Sequence, residues 1–222
     1  MTFTFLSLTS PAGEAYYPAA RSIYEEAFEP EEKVPFEGLW SGARRGGKDP
    51  ETHFLGLLEG EQLLGTAWFC AFPAERLGYL GYIAVAAESR GKGYGEILLR
   101  EVLQQLHDRL METSGRPPLA VFWEVRDPAD APDQAERAHR LRRIRFYEKF
   151  RAQCLPVDYL CPPVAPGQPE VRFTLMAVTF PPGQPLAAEV LRRIALTGLV
   201  RLEGADPSSE YVWRALQSIP GD

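Results

Sequence analysis

The stretch that most restricts how this chain can fold is Tyr82-Ile-Ala-Val-Ala-Ala-Glu-Ser-Arg-Gly-Lys-Gly-Tyr-Gly-Glu-Ile-Leu-Leu99. An apolar, β-prone run over residues 77–86 ends there. Glycines then recur at alternate positions, Gly91, Gly93 and Gly95. Beyond them Leu98, Val102, Leu106 and Leu110 recur every four residues, so a helix is expected from Gly93 to about Met111. Such a turn lets several backbone amides point into one concavity, and the helix dipole adds positive potential. That is an anion site suited to phosphates. It is not a Walker loop, because GK[ST] is absent, nor GxGxxG, because the glycines alternate. The alternative is a plain β-to-α turn.

The rest of the chain supplies a mixed α/β pattern. Strands are expected over residues 2–8, 52–58, 63–72, 77–86, 119–125, 153–160 and 171–180. Gly60 falls between the second and third as a hairpin turn requires. Residues 15–28 carry apolar side chains at helical spacing, and 29–50 read as a mobile connection with a short helix near 36–41. Asp133 is a candidate N-cap for a helix running to about Phe150. Helices over 187–199 and 209–219 follow Pro181-Pro182. The organisation expected is a domain over 1–182 and a C-terminal helical appendage over 183–222. Val190, Leu191, Ile194, Leu196, Leu199, Tyr211, Val212, Trp213, Leu216 and Ile219 need a surface to cover, on the main body or in a homodimer.

Composition narrows the function classes. The net charge of −6 argues against general nucleic-acid binding. No run of about 18 apolar residues exists, so no membrane span is expected. The first ten residues lack a signal-peptide pattern, which gives a cytoplasmic expectation. Cys70, Cys154 and Cys161 form no CxxC pair and read as free, buried thiols. His53, His107 and His139 show no ligand spacing, so no metal site is expected. Without GK[ST] or clear metal carboxylates, a nucleotide phosphotransferase is set aside.

Arg90, Gly93 and Gly95 match R/Q-x-x-G-x-G/A, and Val85 stands at the usual valine of the strand before it. This segment resembles the acetyl-CoA signature of the GNAT N-acetyltransferase superfamily. Arg145-Phe-Tyr-Glu-Lys-Phe150 resembles that family's FYEK segment, on the helix before the last strands. The order of elements is similar over residues 1–180, so the resemblance implies a GNAT-like central mixed sheet of about seven strands flanked by helices. It implies that the amides of Gly91, Lys92, Gly93, Tyr94 and Gly95, with Arg90, hold the pyrophosphate of acetyl-CoA. It implies that the backbone of Ile83, Ala84 and Val85 pairs with pantetheine. Tyr147 would sit near the thioester sulfur. Arg140 stands where many members carry Asn, and Arg151 where many carry Gly.

The function implied is acetyl transfer from acetyl-CoA to a small-molecule or protein amine. A non-catalytic acyl-CoA-binding sensor with the same fold is the alternative, and Tyr147 favours the enzyme. Collapse of the tetrahedral intermediate needs an acid for the thiolate, which a phenol at Tyr147 can be. The competing reading is a core aromatic at helical spacing from Ile144. Glu124, in the strand Ala120-Val-Phe-Trp-Glu-Val125, is the candidate base, since a Glu in an apolar strand needs water or a partner. A solvated face, or a water relay in its place, is the alternative. Arg137, Arg140, Arg142, Arg143 and Arg145 make one helix basic. Arg140 and Arg143 are the candidates for CoA phosphates, against a solvated face. Glu25, Glu26, Glu29, Glu31 and Glu32 read as an acidic lid suited to a cationic amine, or as solvated charge.

Overall fold

Two apolar runs joined by Gly60-Glu61 fold back on each other as the spacing predicts. They are β2 (Glu51–Glu59) and β3 (Gln62–Phe72), with Glu59 opposite Gln62 and Gly60 at φ +59°. A left-handed residue is what a two-residue hairpin turn asks for. The computed structural model describes residues 2–221, so Met1 and Asp222, the outermost positions of the two expected domains, lie outside the described residues. These residues form two compact units, the first running to Pro118 and the second starting at Leu119.

In the first unit β1 (Phe3–Ser7), β2, β3 and β4 (Leu77–Val85) pair antiparallel in chain order. The buried run Phe54 to Leu58 shows that β2 is covered on both faces. Helix α1 (Tyr17–Ala27) packs on β3 and β4, α2 (Phe36–Arg45) on β2, and α3 (Tyr94–Ser114) on β3 and β4. Ile23, Tyr24, Phe36, Leu39, Trp40 and Phe54 share one core. The expected mobile connection thus contains the ten-residue helix α2, which runs four residues beyond the short helix expected near 36–41. The charged and glycine residues that suggest a loop, Gly38, Gly42 and Arg44 among them, lie outside its buried set of Phe36, Leu39, Trp40 and Ala43. The segment between α1 and α2 is pinned by two tyrosines. Tyr82 Oη donates to the Glu32 carbonyl at 2.8 Å and Tyr24 Oη to the Val34 carbonyl at 2.9 Å.

In the second unit β5 (Ala120–Arg126) pairs antiparallel with β8 (Val171–Thr179), which also takes β6 (Gln153–Cys154) and β7 (Tyr159–Cys161). The single strand expected over 153–160 is broken in two around Pro156, which has no N–H to give a ladder. Asp133 caps α4 (Gln134–Glu148), accepting from the Glu136 amide at 2.8 Å. At the C-terminus α5 (Ala188–Leu196) runs into a π-helical turn, Thr197–Leu202, and α6 (Glu210–Ser218) follows. Leu191, Ile194, Leu199, Val212 and Ile219 are buried, whereas Leu196 and Trp213 are exposed. Helix α6 packs on β7 and against α5, and Ser218 Oγ accepts from the Asp158 amide at 2.7 Å. Eight strands flanked by helices, antiparallel within each unit, realise the expected GNAT-like mixed α/β class. Cys70 and Cys161 are buried, but Cys154 is exposed, because the two-residue β6 leaves one side chain facing out.

Candidate functional site

Helix α3 begins on a loop whose backbone only glycine adopts readily. Gly91 and Gly93 hold φ at +78° and +85°. A Cβ at either would meet nothing within 4 Å, so conformation rather than crowding calls for glycine. Gly93 is the N-cap and offers no side chain to the first turn, whose leading amides have no acceptor within the helix. The loop from Arg90 to Gly93 is exposed, Lys92 included. Arg90 Nε donates to the Val85 carbonyl at 3.2 Å and ties the loop to the end of β4. Tyr94 is buried, its ring 5.6 Å from that of Phe3 in an edge contact, so it anchors the helix start and leaves its amide for a ligand. Gly95 is half-buried one residue further on. Ile83, Ala84 and Val85 end β4 and pair with Ala67, Thr66 and Gly65 of β3. Gly65 is required there, since a Cβ would stand 2.7 Å from the Ala84 carbonyl oxygen. Together these features make an exposed nest of amides with Lys92 within the loop, able to hold an anionic diphosphate.

In the second unit Tyr147 is buried on α4, and its ring lies 4.7 Å from that of Trp123, centroid to centroid. The Trp123 indole N–H has no acceptor among the described residues. Glu124 follows Trp123 in β5 and therefore points to the other face. On that face a Glu124 carboxylate oxygen, Cys161 Sγ and a Glu203 carboxylate oxygen all lie within 4.8 Å of one another. Burial pushes the Cys161 thiol well above its ordinary pKa, and the two carboxylates add to this against a hydrogen bond from Tyr159. Burial raises Glu203 as well. The trio has residue types that bind zinc, and coordination would itself deprotonate the thiol, so the raised thiol pKa does not bear on whether the set could hold a metal.

The basic helix divides into two kinds of arginine. Arg140 is buried, with Nε 2.8 Å from Glu136 Oε1 and Nη1 2.8 Å from the Asp127 carbonyl. It joins the start of α4 to the loop after β5. Arg143 is half-buried, while Arg137, Arg142 and Arg145 are exposed. In the acidic segment Glu25 pairs with Lys33 at 2.7 Å and Glu26 accepts from Ser22 Oγ at 3.0 Å, so part of that charge is spent locally.

The sequence singles out Glu124, and the structure groups it with Cys161 and Glu203 rather than with Tyr147. Neither partner was foreseeable from spacing, because Glu203 arrives through the C-terminal helices. Trp123 was likewise missed, since an aromatic in an apolar strand reads as core.

Residues 15–115 match the model of the Acetyltransferase (GNAT) family. That stretch contains the glycine loop and stops short of Glu124 and Tyr147. No curated protein matches the sequence. Among solved structures, a GNAT-family protein from Bacteroides thetaiotaomicron is similar at TM-score 0.65 and 20% identity, over 93% of this chain and 100% of that one. The ribosomal-protein-S18-alanine N-acetyltransferase of Escherichia coli is similar at TM-score 0.52 and 19% identity, over 84% and 97%. The ribosomal-protein-alanine N-acetyltransferase of Brucella melitensis follows at 0.54 and 16%, over 81% and 99%. At such identities the likeness is one of fold. Over residues 15–115 the sequence thus resembles the GNAT acetyltransferases, and the fold is similar to that of a GNAT-family structure.

Proposed function

We propose that this chain transfers an acetyl group from acetyl-CoA to a primary amine, by direct attack in a ternary complex. The observation that carries this is the Arg90 to Gly95 loop, with Gly91 and Gly93 left-handed at the mouth of a 21-residue helix. In this reading the loop amides and Lys92 hold the pyrophosphate, and the backbone of Ile83 to Val85 takes pantetheine. Arg143 meets a CoA phosphate. Arg140, already held by Glu136 and Asp127, contributes mainly by fixing α4. Tyr147 protonates the departing thiolate and Glu124 takes the proton of the incoming ammonium. An acyl-enzyme is disfavoured, because burial raises the Cys70 thiol to about 12 and Cys161 well above its ordinary value, which leaves both as poor nucleophiles.

The test is release of CoA thiol from acetyl-CoA with spermidine, tobramycin, lysine and an alanine-initiated peptide. Transfer to any of them, seen as a mass increase of one acetyl group, supports the enzyme. Tight acetyl-CoA binding with no acceptor in a wide amine panel would leave an acyl-CoA sensor instead. In the same reading residues 1–182 form the acetyltransferase domain and 183–222 an appendage that stabilises it. Among the described residues no helix is long and apolar enough to cross a membrane. A cytoplasmic location and a homodimer covering the exposed Trp213 belong to the proposal. Fractionation and sedimentation velocity test them.

A further inference from the structure

The C-terminal helices bring a carboxylate to the strand that carries the candidate base. Glu203 stands at the end of the π-helical turn, its amide donating to the Gly198 carbonyl at 3.0 Å. Gly198 is needed in that turn, because a Cβ there would lie 2.2 Å from Tyr159 Oη. The tyrosine is fully buried on β7, two residues before Cys161. The close packing of Tyr159 under Gly198 thus fixes where the turn ends. It leaves a Glu203 oxygen within 4.8 Å of both a Glu124 oxygen and Cys161 Sγ. Three elements remote in sequence, β5, β7 and the C-terminal turn, converge on one half-buried carboxylate pair.

We propose that Glu203 is a positioning residue for Glu124, sharing the pair's last proton with it and making Glu124 a stronger base than a lone carboxylate. The inference rests on the acetyltransferase reading above. Two carboxylates this close in a half-buried setting repel, so the second ionisation is held above the ordinary range, nearer the operating pH of a general base. Among the described residues the Cys161 thiol faces the pair, and the Tyr159 hydroxyl bonds that thiol. Arg126 follows Glu124 on the same face of β5, and Arg201 precedes Glu203 by two residues. A cation at Arg126 opposes the repulsion and burial reinforces it, while the protonated Cys161 thiol, being neutral, adds no charge to the pair.

The proton accounting is as follows in the proposed reaction. The acceptor ammonium gives one proton to the ionised pair at Glu124, which frees the nitrogen lone pair. That pair forms the C–N bond while the thioester π electrons move to oxygen. On collapse the C–S bond breaks with its electrons on sulfur, and Tyr147 protonates the thiolate. The second proton lost by nitrogen returns through water to Tyr147, and the pair releases its own to solvent. Amine, acetyl group and CoA balance, with one proton released for each ammonium consumed.

The experiment compares wild type, Glu203→Gln, Glu203→Asp and Glu124→Gln, each first checked for unchanged melting. With an amine from the panel, kcat/KM of wild type should rise with pH as the pair loses its last proton. Glu203→Gln should move that limb to lower pH and cut kcat by roughly 10-fold or more, with the KM for acetyl-CoA unchanged. Glu203→Asp should restore part of both. If the Glu203→Gln profile superimposes on wild type while Glu124→Gln is inactive, the positioning role is wrong and the acetyltransferase stands. If wild type transfers to no amine, that wider reading fails, and carbon-13 NMR titration of labelled glutamates decides the pair on its own. There Glu203→Gln must move the Glu124 titration to lower pH, and an unmoved titration overturns the inference. So does native mass spectrometry showing one zinc per chain that Glu203→Gln loses.

Discussion

Tyr147 lays its ring on Trp123 at 4.7 Å and an interplanar angle of 43°, one residue before Glu124 in the same strand. Trp123 and Glu124 point to opposite faces of β5, so the proposed acid and the proposed base belong to opposite sides of one strand. In the proposed tetrahedral intermediate sulfur and nitrogen are bonded to one carbon, so the acid must reach sulfur and the base nitrogen from these two sides. Tyr147→Phe keeps the ring contact and removes only the hydroxyl. Acetyl-CoA affinity should persist by calorimetry while turnover falls by roughly 10 to 10⁴-fold. Full turnover in this variant, with chemistry shown to limit the rate, would leave Tyr147 as a core aromatic.

Gly93→Glu tests the phosphate loop. The new side chain has open space around it, so the fold should tolerate it at a backbone cost of about 1–2 kcal/mol for a non-glycine at φ +85°. What it brings is a negative charge where a diphosphate would sit. Like charges so placed cost several kcal/mol, so acetyl-CoA affinity should fall by roughly 10²-fold or more. Gly93→Asn, which tolerates the left-handed region, is the control for the backbone effect and should lose far less. Unchanged affinity in a folded Gly93→Glu protein would remove the loop from the site.

Local signals made the hairpin at Gly60, the helix after Gly93 and the cap at Asp133 legible, since each depends on residues within a few positions. The extent of α2 was hidden because its apolar side chains alternate with glycine and charge. The break between β6 and β7 could have been read from Pro156, whose ring forbids the ladder bond. At the candidate site, the loop's conformation was legible from glycine spacing, and Glu124 stood out by its cost in an apolar strand. Glu203 was not, because only the packing of the C-terminal turn on Tyr159 brings it to Glu124. Arg140 stood as a candidate for a CoA phosphate against a solvated face, and a cation on a basic helix carries no hint of its bonds to Glu136 and the Asp127 carbonyl.

Arg151 stands at φ +61°, just past the end of α4, at the position where the resemblance to the GNAT pattern leads one to expect glycine. The departure noted in the sequence is therefore a left-handed residue with a Cβ. Its amide donates to the Glu148 carbonyl at 2.9 Å, a bond that glycine would keep. Its side chain is exposed, so little packing is lost on removing it. Arg151→Gly should stabilise the chain by about 1 kcal/mol, the relief of a non-glycine in this region, less some gain in unfolded-state entropy. Urea unfolding measures it. A destabilisation would mean that the Arg151 side chain makes a contribution larger than the backbone strain.

His53 supplies a pH dependence whose sign can be worked out. Its ring stacks on Phe69 at 5.1 Å, with the side chain about one quarter exposed at 26%. Burial lowers its pKa below the ordinary value. Glu51, 3.7 Å from Nε2, opposes this, and Arg109, paired with Glu51, reinforces it. The folded state therefore binds a proton less readily than the unfolded chain. In the window below the unfolded value of about 6.5 and above the lowered folded value, the unfolded state carries more protons, so stability rises with pH there. The contribution is fully present above the unfolded value and is lost as the pH falls through the window. His53→Phe removes the titration and keeps an aromatic on Phe69. Urea midpoints from about pH 7.5 to about 5 should show wild type losing stability relative to His53→Phe as the pH falls. Parallel curves would mean that His53 titrates alike in both states. A wild type that gains on acidification would mean that the Glu51 carboxylate outweighs burial.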